Sequence, residues 1–204
     1  MASTTVAAAS ADAARPRQTS LWTRLAYGLG YGAIGVKDNG FSYFLLLFYS
    51  QVIGLDARLV GLALTVALVV DAFADPMVGY WSDNLRSRFG RRHPFMYAAA
   101  LPLAGLYFML WNPPTGLSQP ALFAFLLGMV VSIRLCVSLY QVPSNALAAE
   151  LTQGYDERST LLSFRFFFSW AIGNAMSVLM FAVLFPLFVT PAIHNGQFNR
   201  EAYR

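Results

Sequence analysis

LVGLALTVALVVDAFADPMVGYWS, Leu59 to Ser82, is long enough to cross a bilayer yet carries two carboxylates, Asp71 and Asp75. About 20 predominantly apolar residues span a hydrocarbon core. A carboxylate near a helix centre costs roughly 2.5–3.5 kcal/mol on insertion, so two cost about 5–7 kcal/mol. Neutral residues would avoid that cost. The i, i+4 spacing sets both side chains on one helical face. That face must turn toward a polar cavity or an ion, because lipid does not solvate it.

The rest of the chain extends this reading. Of its 204 residues 57% are hydrophobic and only 12% are charged, about half the roughly 25% of soluble domains. The composition is that of a polytopic membrane protein with the lipid bilayer as its first partner. The net charge of +4 sits mainly in loop arginines and reports topology, not nucleic-acid binding. Cys136 is the single cysteine and reads as a packing residue, so no disulfide framework or zinc site forms within one chain. His93 and His194 fall in loops, and no nucleophile–base or metal-ligand cluster is visible, so the chain is not read as an enzyme and needs no cofactor.

Five spans follow, at about residues 21–53, 59–81, 94–111, 121–147 and 161–189, within a bundle of about 21–190. Residues 1–20 read as a disordered tail, with a transit peptide as the alternative. Residues 191–204 read as an extracytoplasmic loop ahead of a further helix. The chain is therefore expected to be the N-terminal part of a longer protein; a short protein that oligomerises to cover its polar faces is the alternative. Arg15, Arg17, Arg24, Arg86, Arg88, Arg91, Arg92 and Arg158 lie on one side, against Arg58, Arg200 and Arg204 on the other. The positive-inside rule puts the N-terminus in the cytoplasm of an inner or plasma membrane protein. Trp22, Trp81 and Trp111 stand at span ends, as an interfacial belt requires.

Six ionisable residues fall within the spans: Lys37, Asp38, Asp71, Asp75, Arg134 and Arg165. Their formal charges cancel, as a low-dielectric cavity demands. Asp71 lies about 12 residues from the outer end of its span and Arg134 about 13 from the outer end of the fourth. At 1.5 Å per residue the two share a depth and are expected to face each other or share a partner. Arg134, Ser138, Gln141 and Asn145 recur at i, i+4, i+7 and i+11, a polar stripe that reads as a cavity lining or as interhelical hydrogen bonds. Asp75 and Gln141 lie deeper, and Arg165 enters from the cytoplasmic end to meet that layer. Lys37 and Asp38 are neighbours about 100° apart on a helix and are not expected to pair well; Asp38 is the one assigned to a polar site. Tyr31 and Tyr140 are weaker candidates for stacking on a solute. Tyr43, Phe44, Phe48, Phe164, Phe166, Phe167, Phe168 and Trp170 read as lipid-facing or packing residues.

Three segments carry a resemblance: GYGAIGVKDNGFSYFLLLFY, DAFADPMVGYWSDNLRSRFGRRHP and YQVPSNALAAELTQGYDERSTLLSFR. Together they resemble the glycoside–pentoside–hexuronide:cation symporters, the melibiose-permease group of the major facilitator superfamily. The likeness covers about residues 21–190. Its most specific part is DxxxDP followed by the RSRxGRR loop. It implies an all-α membrane fold, the N-terminal helical bundle of that superfamily, with about five of twelve transmembrane helices present and a C-terminal half as partner. It implies that Asp71 and Asp75 are cation-site carboxylates with Ser138 nearby, where a proton or a sodium ion couples transport. It implies that Asp38 and Arg165 hold sugar hydroxyls, and that Gln141 and Asn145 fall at solute positions. The loop of Asp83, Arg86, Arg88, Arg91 and Arg92 is expected to anchor the cytoplasmic face and gate it, Asp83 pairing with Arg86 or with a neighbouring helix end.

Two departures bear on coupling. Gln141 stands where the permease has an aspartate, and Arg134, itself expected to be a solute-binding residue, adds a positive charge at a position where the permease has none. Together they shift the cavity by about two units toward positive, which disfavours sodium, a cation that needs surplus oxygen ligands. The expected function is cation-coupled symport, by proton in preference to sodium, of a glycoside or related polyhydroxylated solute. A uniporter, with Arg134 neutralising Asp71, is one alternative. A non-transporting receptor, scaffold or truncated remnant is the other.

Overall fold

The computed structural model describes residues 19–85, 88, 92–152, 154–187 and 200–203, and every regular element among them is helical. The first span begins as α1 (Leu21–Gly30) and α2 (Gly32–Asn39), then widens into π-helical turns at Gly40–Leu45 and Phe48–Val52. Ser20 caps α1, its hydroxyl accepting from the Thr23 amide at 3.2 Å. Four longer helices follow: α3 (Ala57–Asn84), α4 (His93–Trp111), α5 (Gln119–Leu151) and α6 (Tyr155–Leu179). A π-helical turn, Met180–Leu184, and the short α7 (Phe185–Leu187) prolong α6, and Arg200–Tyr203 forms a 3₁₀ turn.

The segments Ala57–Asn84, His93–Trp111, Gln119–Leu151 and Tyr155–Leu187 are each long and apolar enough to cross a membrane. The first span is helical but does not run as one α-helix over 21–53. Each π turn inserts a residue into the ladder, and glycines at 28, 30, 32, 35 and 40 supply no side-chain packing to hold a uniform pitch. Elsewhere the helices overrun the hydropathy boundaries. The 33 residues of α5 are about 50 Å long against a hydrocarbon core of about 30 Å. Residues 82–84, 150–151 and 155–160, expected as loop, are therefore helical extensions beyond the apolar zone. His93, also expected in a loop, opens α4, its ring 6.2 Å from Tyr97. Glycines in left-handed geometry make the sharp turns: Gly54 (φ 86°) before α3 and Gly116 (φ 82°) before α5.

The helices pack as a pair and a trio. α1 and α2 lie along α6, while α5 packs against both α3 and α4. In the pair, glycines bring backbone to backbone. A methyl group on Gly173 would stand 2.7 Å from the Gly35 carbonyl oxygen, and one on Gly35 would overlap the Ser169 carbonyl. Pair and trio meet through an aromatic core at one end. Phe44, Phe48 and Tyr49 are buried there with Leu110, Leu126 and Phe185, and the Tyr49 hydroxyl donates to the Leu110 carbonyl at 2.8 Å. Tyr203 closes that end, its ring stacked 5.6 Å from Trp111 at 11° and 4.7 Å from Phe48. Burial pushes the Tyr203 phenol above its ordinary pKa. Trp111 is thus a core residue and not part of an interfacial belt, whereas Trp22 and Trp81 are exposed. Phe73, Tyr80 and Trp170 stand exposed on outer faces, as lipid-facing residues do.

Candidate solute and ion site

Two polar clusters lie along one face of α5. Arg134 and Asn145 are eleven residues apart, hence about 16 Å along the axis and nearly in line. At the first cluster the Arg134 Nη1 donates to Asp71 Oδ2 of α3, the pairing expected from equal depth. Both side chains are mostly buried, at 18% and 23% exposure. The contact leaves Asp71 Oδ1 and Arg134 Nε buried without a hydrogen-bond partner among the described residues. Asp75, one turn along α3, is exposed and has no ion-pair partner among the described residues. Pro76 directly after it removes one ladder donor at the same level.

At the second cluster Arg165 of α6 reaches back to α5 and the first span. Its Nη1 donates to Asn145 Oδ1 and lies 3.4 Å from the Tyr31 hydroxyl, which itself donates to Asn145 Oδ1 at 3.1 Å. The guanidinium carbon sits 4.4 Å from the Tyr31 ring centre and 4.8 Å from that of Phe166. Tyr27 adds a bond to the Ser144 carbonyl at 2.9 Å, and Tyr140 packs its ring 5.9 Å from Tyr31. Arg165 therefore meets Asn145, below Gln141, and not the Asp75–Gln141 layer. Gln141 is half-buried between the clusters and Ser138 is buried.

Lys37 and Asp38 do pair, at 2.5 Å, against the sequence expectation. Adjacent side chains diverge at Cβ, but the four-methylene stem of lysine is long enough to curl back. Lys37 is the shielded member, 5.7 Å over the Phe41 ring, and Asp38 is the open one. The lysine also lines an apolar cavity of about 490 Å³ between the first span and α4, along with Ile34, Leu103, Tyr107 and Tyr140. At the far end of α3, Arg92 bridges Asp83 at 3.3 Å and Glu150 at 3.0 Å, tying three helix ends together. Of the two pairings open to Asp83, this is the neighbouring helix end. Arg86, Arg91 and His194 lie outside the described residues, as do residues 1–18 and 188–199, and Arg88 is exposed. Tyr27 enters the site as a hydrogen-bonding group that the sequence reading did not single out, and Tyr31, expected as a candidate for stacking on a solute, serves here as a hydrogen-bonding group; their i, i+4 spacing on a glycine-rich helix was the available signal.

The profile of the family described as MFS/sugar transport protein matches residues 26–204. An uncharacterised symporter of Synechocystis is 36% identical over 167 residues, covering 79% of this chain and 30% of that protein. The isoprimeverose transporter of Lactiplantibacillus pentosus is 29% identical over 167 residues, 80% of this chain and 33% of the transporter. A glucuronide carrier protein homolog of Escherichia coli is 29% identical over 180 residues, 88% of this chain and 37% of the carrier. The chain thus spans about a third of the length of these relatives.

Proposed function

Because this chain belongs to the MFS/sugar transport protein family, we propose that it forms the N-terminal half of a proton-coupled transporter for a glycoside or related polyhydroxylated solute. Family and span lengths make it an integral membrane protein. The arginine distribution supports an inner or plasma membrane with the N-terminus in the cytoplasm. The names of two relatives, an isoprimeverose transporter and a glucuronide carrier homolog, support a sugar-type solute. Asp38, Gln141, Asn145 and Arg165 are the solute-facing groups in this reading, and rocking against a C-terminal half gives alternating access.

One observation carries the coupling assignment: Asp71 is already neutralised by Arg134, while Asp75 one turn away is open and has no ion-pair partner among the described residues. A sodium ion needs several oxygen ligands, and a guanidinium already occupies one of the two carboxylates. That leaves Asp75, exposed and one turn from the pair, as the carboxylate available to carry a proton. The test is uptake by the full-length protein in vesicles. Asp75→Asn is expected to abolish accumulation driven by a pH gradient while solute exchange without a gradient persists. Undiminished gradient-driven accumulation would overturn proton coupling at Asp75. The same Arg134–Asp71 contact favours a second reading, a uniporter; its signature is wild-type uptake that never exceeds equilibrium under any ion gradient.

A further inference from the structure

The residues that lead into the first span read Arg15-Pro16-Arg17-Gln18-Thr19-Ser20-Leu21. Arginines stand five and three positions before Ser20, and an apolar residue follows it directly. Among all serines and threonines of the sequence, Ser20 alone has a basic residue three positions before it. Basophilic serine/threonine kinases read this pattern. Carboxylates in their substrate groove pair with the two guanidinium groups, and an apolar pocket takes the following side chain. The structure presents the hydroxyl to such a groove. Ser20 is exposed and extended (φ −63°, ψ 153°) immediately before α1, and Leu21 and Trp22 after it are 61% and 81% exposed.

The surroundings of Ser20 decide what a new charge would do there. Its Oγ accepts from the Thr23 amide at 3.2 Å and lies 3.0 Å from the Thr23 hydroxyl. The first turn of α1 carries no carboxylate, so nothing in that turn balances its N-terminal partial charge. Arg24, four residues on, donates from Nε to Thr19 Oγ1 at 3.1 Å and so holds its guanidinium beside the tail. On the other side the Thr19 amide donates to Glu157 Oε1, which ties the tail to the first turn of α6.

We propose that Ser20 is a phosphorylation site of a basophilic serine/threonine kinase, and that its phosphate exchanges the tail's tie to Glu157 for one to Arg24. The inference rests on the reading above that puts the N-terminus in the cytoplasm, and not on the solute or the coupling ion. In the step, Ser20 Oγ attacks the γ-phosphorus of ATP. The new O–P bond forms as the bond from that phosphorus to the β–γ bridging oxygen breaks, ADP leaves, and the hydroxyl proton passes to the base of the kinase. The ester brings a charge of about −1.5 to −2 and three acceptor oxygens. The amides that open α1 and the guanidinium of Arg24 attract it, while the carboxylate of Glu157 repels it.

The test starts with full-length protein purified from its native membrane, from growing and from starved cells. Trypsin releases residues 18–24 as one peptide, and mass spectrometry is expected to find phosphate on Ser20 that phosphatase removes. A peptide free of phosphate under both conditions would overturn the inference. Reconstituted full-length protein is then treated with ATP and the catalytic subunit of cyclic-AMP-dependent protein kinase. Labelling is expected at Ser20, absent in Ser20→Ala and slowed roughly ten- to hundredfold by Arg17→Gln. Label on Thr19 or Thr23, or a rate that Arg17→Gln leaves unchanged, would overturn the recognition. Amide hydrogen exchange at Thr19 is expected to speed up severalfold on phosphorylation, and unaltered exchange would overturn the swap from Glu157 to Arg24. Labelling of sealed vesicles whose periplasmic or extracellular side faces out would overturn the cytoplasmic placement. Solute uptake is measured separately, so its failure would sink the transporter reading and leave this site standing.

Discussion

Arg134 and Asp71 show how much a single pair matters where water is scarce. Each neutralises a charge that the surrounding helices do not solvate, so removing one strands the other. Asp71→Asn or Arg134→Gln alone is expected to cost about 3 kcal/mol, because an uncompensated charge stays buried. The double variant is expected to recover most of that loss, giving a favourable coupling energy in a thermal-unfolding cycle in detergent. Additive losses would show that the contact contributes little. This pair was legible in the sequence because depth along two parallel spans is simple arithmetic at constant rise. The Lys37–Asp38 pair was not, because helical angles describe where a side chain starts and say little about where a long flexible one ends. The Arg165–Asn145–Tyr31 cluster was half legible. Each residue stood out alone, but their convergence from three elements depends on how the first span leans on α6, which no spacing within one helix encodes.

At the scale of elements, the seam between α2 and α6 is set by what its glycines lack. A methyl group on Gly35 would overlap the Ser169 carbonyl, and a backbone oxygen does not swing aside as a side chain does. Gly35→Ala is expected to force the helices apart and cost about 1–3 kcal/mol or more. Gly61→Ala on α3 meets nothing within 4 Å and should be neutral or slightly stabilising through helix propensity. Equal melting temperatures for the two variants would refute the close seam. The GLGYGAIG run shows in the sequence as glycine-rich and no more; the close seam and its partner face on α6 came only with the structure. Helix existence was readable from hydropathy throughout. The ends were not, because α5 and α6 continue past the apolar zone on residues that polarity alone marks as loop.

At the scale of the whole molecule, Arg92 joins the ends of α3 and α5 at the start of α4. Asp83 and Glu150 are 62% and 43% exposed, so solvent screens both bridges and their combined worth is about 1 kcal/mol or less. Arg92→Ala is therefore expected to leave the melting temperature nearly unchanged yet speed amide hydrogen exchange at residues 82–85 and 148–152. Unaltered exchange there would show that the three ends are held by other contacts. The uneven border between the pair and the trio has a mechanical consequence. Near Tyr203 it is greased shut by interlocking rings, while near Arg165 and Tyr27 it is spanned by a few replaceable hydrogen bonds. A body fastened that way behaves like a clothes-peg. Its spring is the aromatic end, its jaws are the guanidinium end, and whatever the jaws grip decides how wide they stand.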